Sequence, residues 1–349
     1  MNFANELSRW YNTNKRSLPW RDTNDAYVIW LSEIILQQTR VEQGLPYFNR
    51  FLEKYPDVSA FAGASEDEVL KLWQGLGYYS RGRNMLKTAR QVVSEYDGVF
   101  PVKYEQLIKL KGIGEYTAAA ISSFSSNEAR AVVDGNVYRV LARYFGINEP
   151  INTTRGIKLF RGLADEMLDR EHPGQHNQAL MEFGAMLCKP KKPDCSICPV
   201  RLSCIAYRDN SVASLPVKLK TVKIKERHFN YFLVSDGQSL LMNKRGDNDI
   251  WANMYDLPML ETPDAVQAEV LIELPEAKAL FGEHIGIKSS YLARKHVLTH
   301  QHIYAQFIQI TVPAGYQHLQ KYTRVEFGDL DKIAMPKIIY SFLNNLINT

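Results

Sequence analysis

Hydrophobic residues recur at helical spacing through the first 208 residues of the chain. Phe3, Leu7, Trp10 and Tyr11 are three or four positions apart, as on one face of a helix. Pro, Gly or Asn separates the successive apolar stretches. We therefore predict an all-α region. Its further helices are expected over residues 27–36, 45–54, 66–74, 80–96, 116–125, 132–145, 155–169 and 176–187.

The pattern changes after this region. Residues 209–226 lack helical periodicity and contain a proline and several lysines, so we interpret them as a linker. The β-rich runs HFNYFLVSD, SLLMNKR and HIYAQFIQITV follow, and residues 264–281 and 335–347 have helical patterns. At 349 residues the chain is long enough for two domains. We predict an all-α domain over 1–208 and a smaller α+β domain over 227–349.

Composition narrows the class of protein. With 45% hydrophobic and 23% charged residues, the chain is neither disordered nor collagen-like. It has no apolar run of 18 residues and no signal-peptide pattern, so we expect no membrane association and a cytoplasmic location. Residues 1–225 contain 31 Lys and Arg against 24 Asp and Glu, whereas the remainder contains 11 against 14. A basic first part suits a polyanionic partner.

All four cysteines lie between positions 188 and 204, in a C-x6-C-x2-C-x5-C pattern. In a reducing compartment such a group indicates a metal site rather than disulfides. Zinc sites usually combine two close cysteine pairs, and only one is present here, so the pattern favours an iron–sulfur cluster over zinc. The predicted ligands are Cys188, Cys195, Cys198 and Cys204.

A glycine-containing turn separates two apolar segments, Tyr104–Leu110 and Tyr116–Phe124. Gly112 and Gly114 allow a tight turn with accessible backbone N–H groups, and a helix N-terminus follows. Such a helix-hairpin-helix is suited to holding a DNA phosphate without reading sequence, although an ordinary interhelical turn has the same pattern.

Two carboxylates are candidates for chemistry. Glu33 lies in a strongly apolar segment, where its pKa would rise and allow it to act as a general acid. Asp134 precedes a glycine at a predicted helix start. Each also has an ordinary interpretation: Glu33 as a rim residue paired with an arginine, and Asp134 as an N-cap.

Considered together, these features resemble the helix-hairpin-helix DNA glycosylases that contain an iron–sulfur loop. Within that superfamily, residues 1–208 are similar to the adenine DNA glycosylase (MutY) family. The matching strings are PWR at 19–21, WLSEIILQQTRV at 30–41, GLGYYSR at 75–81, VDGN at 133–136 and NQAL at 177–180.

The resemblance implies excision of adenine mispaired with 8-oxoguanine or guanine in double-stranded DNA, by a monomer that contains a [4Fe-4S] cluster. Glu33 would protonate adenine and then activate water. Asp134 would stabilise the cationic sugar, electrostatically or by transient covalent capture, with Tyr116 and Asn136 beside the carboxylates. Gln38, Tyr78 and Leu76 would occupy or support the opened base stack. Arg21, Trp30, Gln178 and Glu182 would surround the adenine.

One position distinguishes subfamilies. Related thymine-glycol glycosylase/lyases have a nucleophilic lysine two residues after the second hairpin glycine, where this chain has Tyr116. We therefore expect base removal without strand cleavage. The alternatives are a bifunctional pyrimidine glycosylase/lyase of the same fold and a non-catalytic iron–sulfur DNA-binding protein.

The resemblance extends more loosely to the C-terminal part, which is similar to a Nudix fold that recognises 8-oxoguanine. Family members have a Phe-Ser-His loop where this chain has Leu298-Thr299-His300, so Thr299 and His300 are the candidate lesion contacts. The acidic Nudix box is absent from the sequence, so we expect neither nucleotide hydrolysis nor a magnesium ion.

Overall fold

The computed structural model describes residues 3–219, 224–312 and 317–347. The chain forms two compact units, one of residues 1–64 and 84–220 and the other of residues 65–83 and 221–349. Residues 220–223 of the predicted linker, and the ends of the predicted domains at 1–2 and 348–349, lie outside the described residues.

Short helices make up the chain before the linker. Several of these helices begin at a side-chain N-cap, which is provided by Asp25, Ser65, Asp134 and Thr153. The helices are α1 (Phe3–Asn14), α2 (Ala26–Ile35), α3 (Val41–Lys54), α4 (Val58–Ala62), α5 (Glu66–Trp73), α6 (Ser80–Tyr96), α7 (Tyr104–Leu107), α8 (Glu115–Ser126), α9 (Gly135–Tyr144), α10 (Thr154–Met167), α11 (Pro173–Met186) and α12 (Ile205–Arg208).

The predicted helices are present, with shifts at their ends. The first hairpin segment is helical only over Tyr104–Leu107, one turn instead of the predicted seven residues. The helix predicted from residue 132 begins at Gly135, because Asp134 is its N-cap in extended conformation. Helices α4 and α12 were not predicted, since five and four residues are too few to show a periodicity.

Two buried clusters hold the helices of the first unit. One lies where α1, α9, α10 and α11 meet, around Phe160 and Phe183. The other surrounds α2, where Trp30 packs against Phe61 and Phe100. Helix α2 also packs on α8, and α8 and α9 both pack on α11. These four helices provide the side chains of the site described below.

The described residues of the second unit that follow the linker form two small sheets and three α-helices. The strands are β1 (Lys225–Leu233), β2 (Ser239–Lys244), β3 (Tyr255–Asp256), β4 (Met259–Thr262), β5 (Gly286–Val297), β6 (Gln301–Thr311) and β7 (Thr323–Glu326), and the helices are α13 (Ala268–Leu271), α14 (Pro275–Phe281) and α15 (Lys337–Ile347). The sheet orders are β4-β1-β6-β5 and β3-β2-β7. Among the strand pairs of the described residues, β1–β6 alone is parallel, and Phe229 is level with Ala305 in it.

The α+β class predicted for this part is confirmed, although four of its strands were missed. The three β-rich runs became β1, β2 and β6. Strands β3, β4 and β7 have two to four residues, and β5 contains two register irregularities that interrupt its alternation. Within the described part of the chain, no helix combines the length and the apolar character needed to cross a bilayer.

Candidate active site

A cleft of about 1120 Å³ opens in the first unit and brings the two predicted carboxylates together. Its walls come from α2, α8, α9 and α11. Of the predicted site residues, Arg21, Glu33, Gln38, Tyr116, Asp134, Asn136, Gln178 and Glu182 line it.

Glu33 is held by Tyr116 at this cleft. The Tyr116 hydroxyl donates a hydrogen bond of 2.9 Å to Glu33 Oε2. Burial raises the pKa of Glu33 to about 7, against the effect of this hydrogen bond and with an additional rise from the negative charge of Asp134. Burial also raises the pKa of Tyr116 well above its ordinary value. Glu33 is thus a carboxyl group that can hold a proton near neutral pH and release it.

Asp134 is the N-cap of α9 and also lines the cleft. It caps α9, because its Oδ1 accepts a 2.7 Å hydrogen bond from the backbone N–H of Val137. Its Oδ2 accepts a 2.7 Å hydrogen bond from the side-chain amide of Asn136. Burial raises the pKa of Asp134, and these two hydrogen bonds act in the opposite direction. The cap therefore fixes a carboxylate at the wall of the cleft that Glu33 also lines.

A buried charge cluster forms another part of the cleft wall. Glu182, on α11, is 1% exposed at its side chain and binds Arg21 and Arg16 at 2.6 Å and 2.7 Å. Burial acts to raise the pKa of Glu182, but the hydrogen bonds from both arginines lower it to about 2. Arg16 was missed from the sequence. Its signal was weak, since a single basic residue before the PWR string resembles any surface arginine.

Gln178 and Gln38 have different surroundings in the cleft. The Gln178 side chain accepts a 2.7 Å hydrogen bond from the Tyr11 hydroxyl, which orients its amide. Gln38 follows α2 in the left-handed backbone region, with φ at 55°. That conformation is uncommon for a residue with a side chain.

Trp30 is in a different place from the one implied by the resemblance. Its side chain is fully buried in the aromatic cluster around α2, and it does not line the cleft. The structure therefore gives Trp30 a packing position, with the indole in the core. Trp20 lines the cleft instead. Trp30 and Glu33 are three positions apart on α2, so their side chains leave neighbouring parts of the helix surface. The aromatic cluster covers Trp30, whereas Glu33 lines the cleft.

Arg139 connects the carboxylate pair to the cysteine loop, and the sequence analysis missed it. Its guanidinium donates to Asn136 Oδ1 at 2.8 Å and to the carbonyl oxygens of Gly184 and Cys188, both at 2.7 Å. The Arg139 side chain is almost fully buried. A sequence signal for it would have been an arginine five residues after the aspartate cap.

The four cysteines line one cavity of the first unit. Cys188, Cys195, Cys198 and Cys204 all line it, together with Arg143. Burial raises the pKa of the Cys198 thiol to about 11, and the other three thiols also act to raise it. Arg143 donates to the carbonyl oxygen of Lys189 at 2.7 Å and faces Cys188 Sγ at 3.4 Å. Among the described residues, no three His, Cys, Asp or Glu side chains converge as closely as a single metal ion requires.

The hairpin glycines lie outside the cleft lining, in the turn before α8. Gly112 has φ at 78°, and an added Cβ there would meet Asn84 at 2.8 Å, so both conformation and space require glycine. Gly114 is the N-cap of α8 and provides no side-chain partner for the first N–H groups. These backbone donors remain without a capping side chain.

The remaining predicted residues belong to the second unit. Leu76 is buried, whereas Tyr78 is exposed, with φ at 49°. The Tyr78 hydroxyl is hydrogen-bonded to the side chain of Thr299, so two residues predicted separately are neighbours. Thr299 and His300 are exposed in the turn between β5 and β6, and the His300 carbonyl accepts a 3.0 Å hydrogen bond from Lys225.

Two family models match the chain, one before the linker and one after it. Residues 31–161 match the model of the HhH-GPD superfamily of base excision DNA repair proteins, and residues 230–345 match the NUDIX domain model. The two-part architecture predicted from the sequence, a helix-hairpin-helix domain followed by a Nudix-like domain, is thereby confirmed.

Three relatives illustrate the similarity. Adenine DNA glycosylases from two Buchnera aphidicola subspecies are 34% and 33% identical, over 74% and 79% of this chain and 75% and 78% of their own length. The human adenine DNA glycosylase is 45% identical over 58% of this chain and 39% of its own length.

Solved structures share the fold of the first part. A thermostable thymine-DNA glycosylase is 30% identical and covers 59% of this chain and 95% of its own, with a TM-score of 0.55. The match to endonuclease III in a non-covalent complex with DNA covers 59% of this chain and 94% of endonuclease III, at 19% identity and a TM-score of 0.51.

Proposed function

The chain belongs to the adenine DNA glycosylase family, and we propose that it hydrolyses the N-glycosidic bond of adenine opposite 8-oxoguanine or guanine in duplex DNA. The observation that carries this proposal is the pair of Glu33 and Asp134 in one cleft. The Glu33 pKa of about 7 suits a general acid at neutral pH.

In the first step, Glu33 gives its proton to a ring nitrogen of adenine. The bond between that base and C1′ then breaks, and its electron pair leaves with adenine as a neutral molecule. The sugar becomes an oxocarbenium ion, as in glycoside hydrolysis by two carboxylates. Water adds to C1′, and the Glu33 carboxylate takes the proton that this water releases. The sum is hydrolysis, with the DNA strand left intact.

Asp134 is the partner of the cationic sugar in this scheme. Val137 and Asn136 hold its carboxylate with two short hydrogen bonds, so it is oriented before substrate enters. It acts either as a fixed negative charge or as a transient nucleophile at C1′. Tyr116 at the equivalent of the lyase lysine supports a monofunctional reaction, because a phenol forms no Schiff base.

The flipped adenine would lie against the polar wall of the cleft. Arg16 and Arg21 are both held by Glu182, and Gln178 is oriented by Tyr11, so the edge of the base meets donors and acceptors with fixed directions. Extruding a base costs a few kcal/mol and less at a mispair. Gln38, Leu76 and Tyr78 are proposed to occupy or support the space that the base leaves.

The DNA backbone is the proposed partner of the hairpin and the lysines near the cysteine loop. The uncapped N–H groups after Gly114 suit a phosphate, and Lys189 and Lys191 lie at the edge of the cleft. We expect affinity for duplex DNA to fall steeply with salt. Thr299 and His300 are proposed to contact the base opposite adenine. The monomeric state and the cytoplasmic location expected from the sequence belong to this proposal as well.

The cysteine cavity suits an iron–sulfur cluster. A [4Fe-4S] cluster takes one thiolate on each iron, and four thiols line this cavity with Arg143 beside Cys188. When bound, the cluster would supply structural support for the loop. Cys188 would also tie that loop to Arg139 and hence to Asn136, next to Asp134.

Substitution of Glu33 by Gln tests the function. We expect the full-length variant to bind a duplex with adenine opposite 8-oxoguanine as tightly as wild type. It should release no free adenine, which is measured by chromatography. Glu53→Gln, at an exposed position on α3, is the matched control and should keep wild-type release. Retained adenine release in the Glu33 variant would remove Glu33 from the reaction.

A further inference from the structure

The segment of residues 65–83 is held to the C-terminal part of its unit at both ends. At the start of α5, the Asn253 side chain donates a 2.6 Å hydrogen bond to Glu66, and Lys244 binds both carboxylate oxygens of Asp67 at 2.8 Å. At the other end, Arg83 donates to the carbonyl oxygen of Ala252 at 2.9 Å. All three attachment points lie within residues 244–253, which we call the clamp loop.

The centre of the same segment contains Tyr78. The turn before α6 is tied to α5, because Trp73 Nε1 donates a 2.9 Å hydrogen bond to the carbonyl oxygen of Gly77. Gly82 packs on the same indole, where an added Cβ would lie 3.2 Å from the ring. Any shift of α5 would therefore be transmitted to Tyr78 and to its hydrogen bond with Thr299.

The clamp loop has a rigid base of its own. Arg245 donates to Asp256, Asp249 and the Ile250 carbonyl at 2.6, 2.9 and 3.0 Å. Arg227 binds Asp249 through both of its terminal nitrogens. Both arginine side chains are only 9% exposed. Buried, multiply bonded arginines of this kind restrict a loop strongly.

The clamp loop also has an uncommon backbone. Trp251 and Asn253 have φ at 59° and 61°, in the left-handed region. At Asn253 this conformation turns the chain at the point where its amide contacts Glu66. Asparagine is among the few residues that adopt it readily and can also make a side-chain hydrogen bond.

We propose that the clamp loop sets the position of Tyr78 beside Thr299, which makes Lys244 and Asn253 positioning residues for selection of the base opposite adenine. This inference rests on the proposed function, because it assigns the Tyr78–Thr299 pair to that base. The residues that line the cleft with Glu33 and Asp134 do not include Lys244 or Asn253, so we expect their effect on selectivity rather than on bond cleavage.

The test is a double variant of the full-length holoenzyme, Lys244→Ala with Asn253→Gly, in which glycine keeps the left-handed backbone. The control is Arg324→Ala, which removes the exposed ion pair with Asp236 elsewhere in the same unit. For each protein, kcat/KM is measured on duplexes with adenine opposite 8-oxoguanine and opposite guanine.

We expect the ratio of kcat/KM opposite 8-oxoguanine to kcat/KM opposite guanine to fall about three- to tenfold in the double variant. This is the size expected for losing one hydrogen bond and one surface ion pair. Cleavage opposite guanine should change less than about twofold, within the scatter of a surface substitution. Exchanging the charges, as Lys244→Glu with Asp67→Lys, should restore more of the preference than Lys244→Glu alone. An unchanged preference, or an equal loss on both duplexes, would overturn the proposal.

Amide hydrogen exchange on the DNA-free proteins separates this inference from the proposed function. The double variant should exchange faster over residues 74–79 than wild type or the Arg324 control. Unchanged exchange over residues 74–79 would refute the proposed role of the clamp loop, whatever the enzymatic result. If the double variant exchanges faster there but the wild-type protein releases no adenine, the result would support the role of the clamp loop and refute the proposed function.

Discussion

Replacing Tyr116 with phenylalanine removes the hydroxyl that donates to Glu33 and leaves the ring in place. That hydrogen bond favours the charged form of Glu33, so its loss raises the pKa above about 7. A hydrogen bond to a charged group is worth about 1.5–3 kcal/mol, and one pKa unit corresponds to about 1.4 kcal/mol. We therefore expect a rise of about one to two units.

The assay is the pH dependence of kcat/KM for adenine release, which reports ionisation in the free enzyme. Glu33 must be protonated, so the wild-type value should fall as pH rises through about 7. For the Tyr116→Phe variant, kcat/KM should fall at a pH about one to two units higher. At low pH the variant should be slower than wild type, because a weaker acid transfers its proton less readily.

Tyr138→Phe is the matched control, since Tyr138 lines the same cleft, whereas Tyr116 is the residue that donates to Glu33. Its alkaline limb should coincide with that of wild type. If the limb of the Tyr116 variant stays in place or moves to lower pH, the hydrogen bond does not control the proton on Glu33, and the reasoning above is refuted.

Three further predictions concern the neighbours of this acid. Asp134→Asn keeps an acceptor for Val137 but removes the negative charge, so single-turnover adenine release should fall at least about a hundredfold with little change in urea stability. Glu182→Gln should cost about 3 kcal/mol of unfolding free energy at pH 7, because the folded pKa of about 2 lies well below the ordinary 4.5. Arg139→Gln should lower both iron content and adenine release, since it breaks the connection between Cys188 and Asn136.

Each of these has its own contradicting result. Wild-type release by Asp134→Asn would show that charge at the cleft wall is not needed. The stabilisation by Glu182 is fully present above pH 4.5 and is lost as pH falls through 2, so a Glu182→Gln deficit that grows on acidification would reverse the expected sign. Full iron content together with the wild-type rate in Arg139→Gln would leave the cysteine loop and the carboxylates independent.

Local signals made much of the first domain predictable. The helical periodicity of α1 appears in the structure because the helix buries one face, with Phe3, Leu7 and Tyr11. Helix α2 is instead buried on nearly all sides, as its strongly apolar sequence indicates. The glycine at 112 marks a turn that only glycine accommodates. Glu33 in an apolar string and Asp134 before a helix start were candidates from their contexts, but those contexts alone favour a rim glutamate and an N-cap. The resemblance to the glycosylase family singled the two residues out. The four cysteines were evident from spacing alone.

The remaining features depend on residues far apart in the chain. The partnership of Arg16 with Glu182 spans 166 positions, and no local pattern marks it. Trp30 and Glu33 share one string, yet only tertiary packing decides which of them faces the cleft. The association of residues 65–83 with the C-terminal part depends on Asn253 and Lys244, which look like ordinary surface residues in the sequence.

The most direct test of the central claim uses two labelled duplexes, one with adenine opposite 8-oxoguanine and one with thymine glycol opposite adenine. Each reaction is divided, and half is treated with hot alkali. A monofunctional adenine glycosylase nicks the adenine-containing strand only after alkali and leaves the thymine-glycol strand whole. Nicking of the thymine-glycol strand without alkali would contradict the account, because a lyase needs an amine nucleophile that Tyr116 cannot supply.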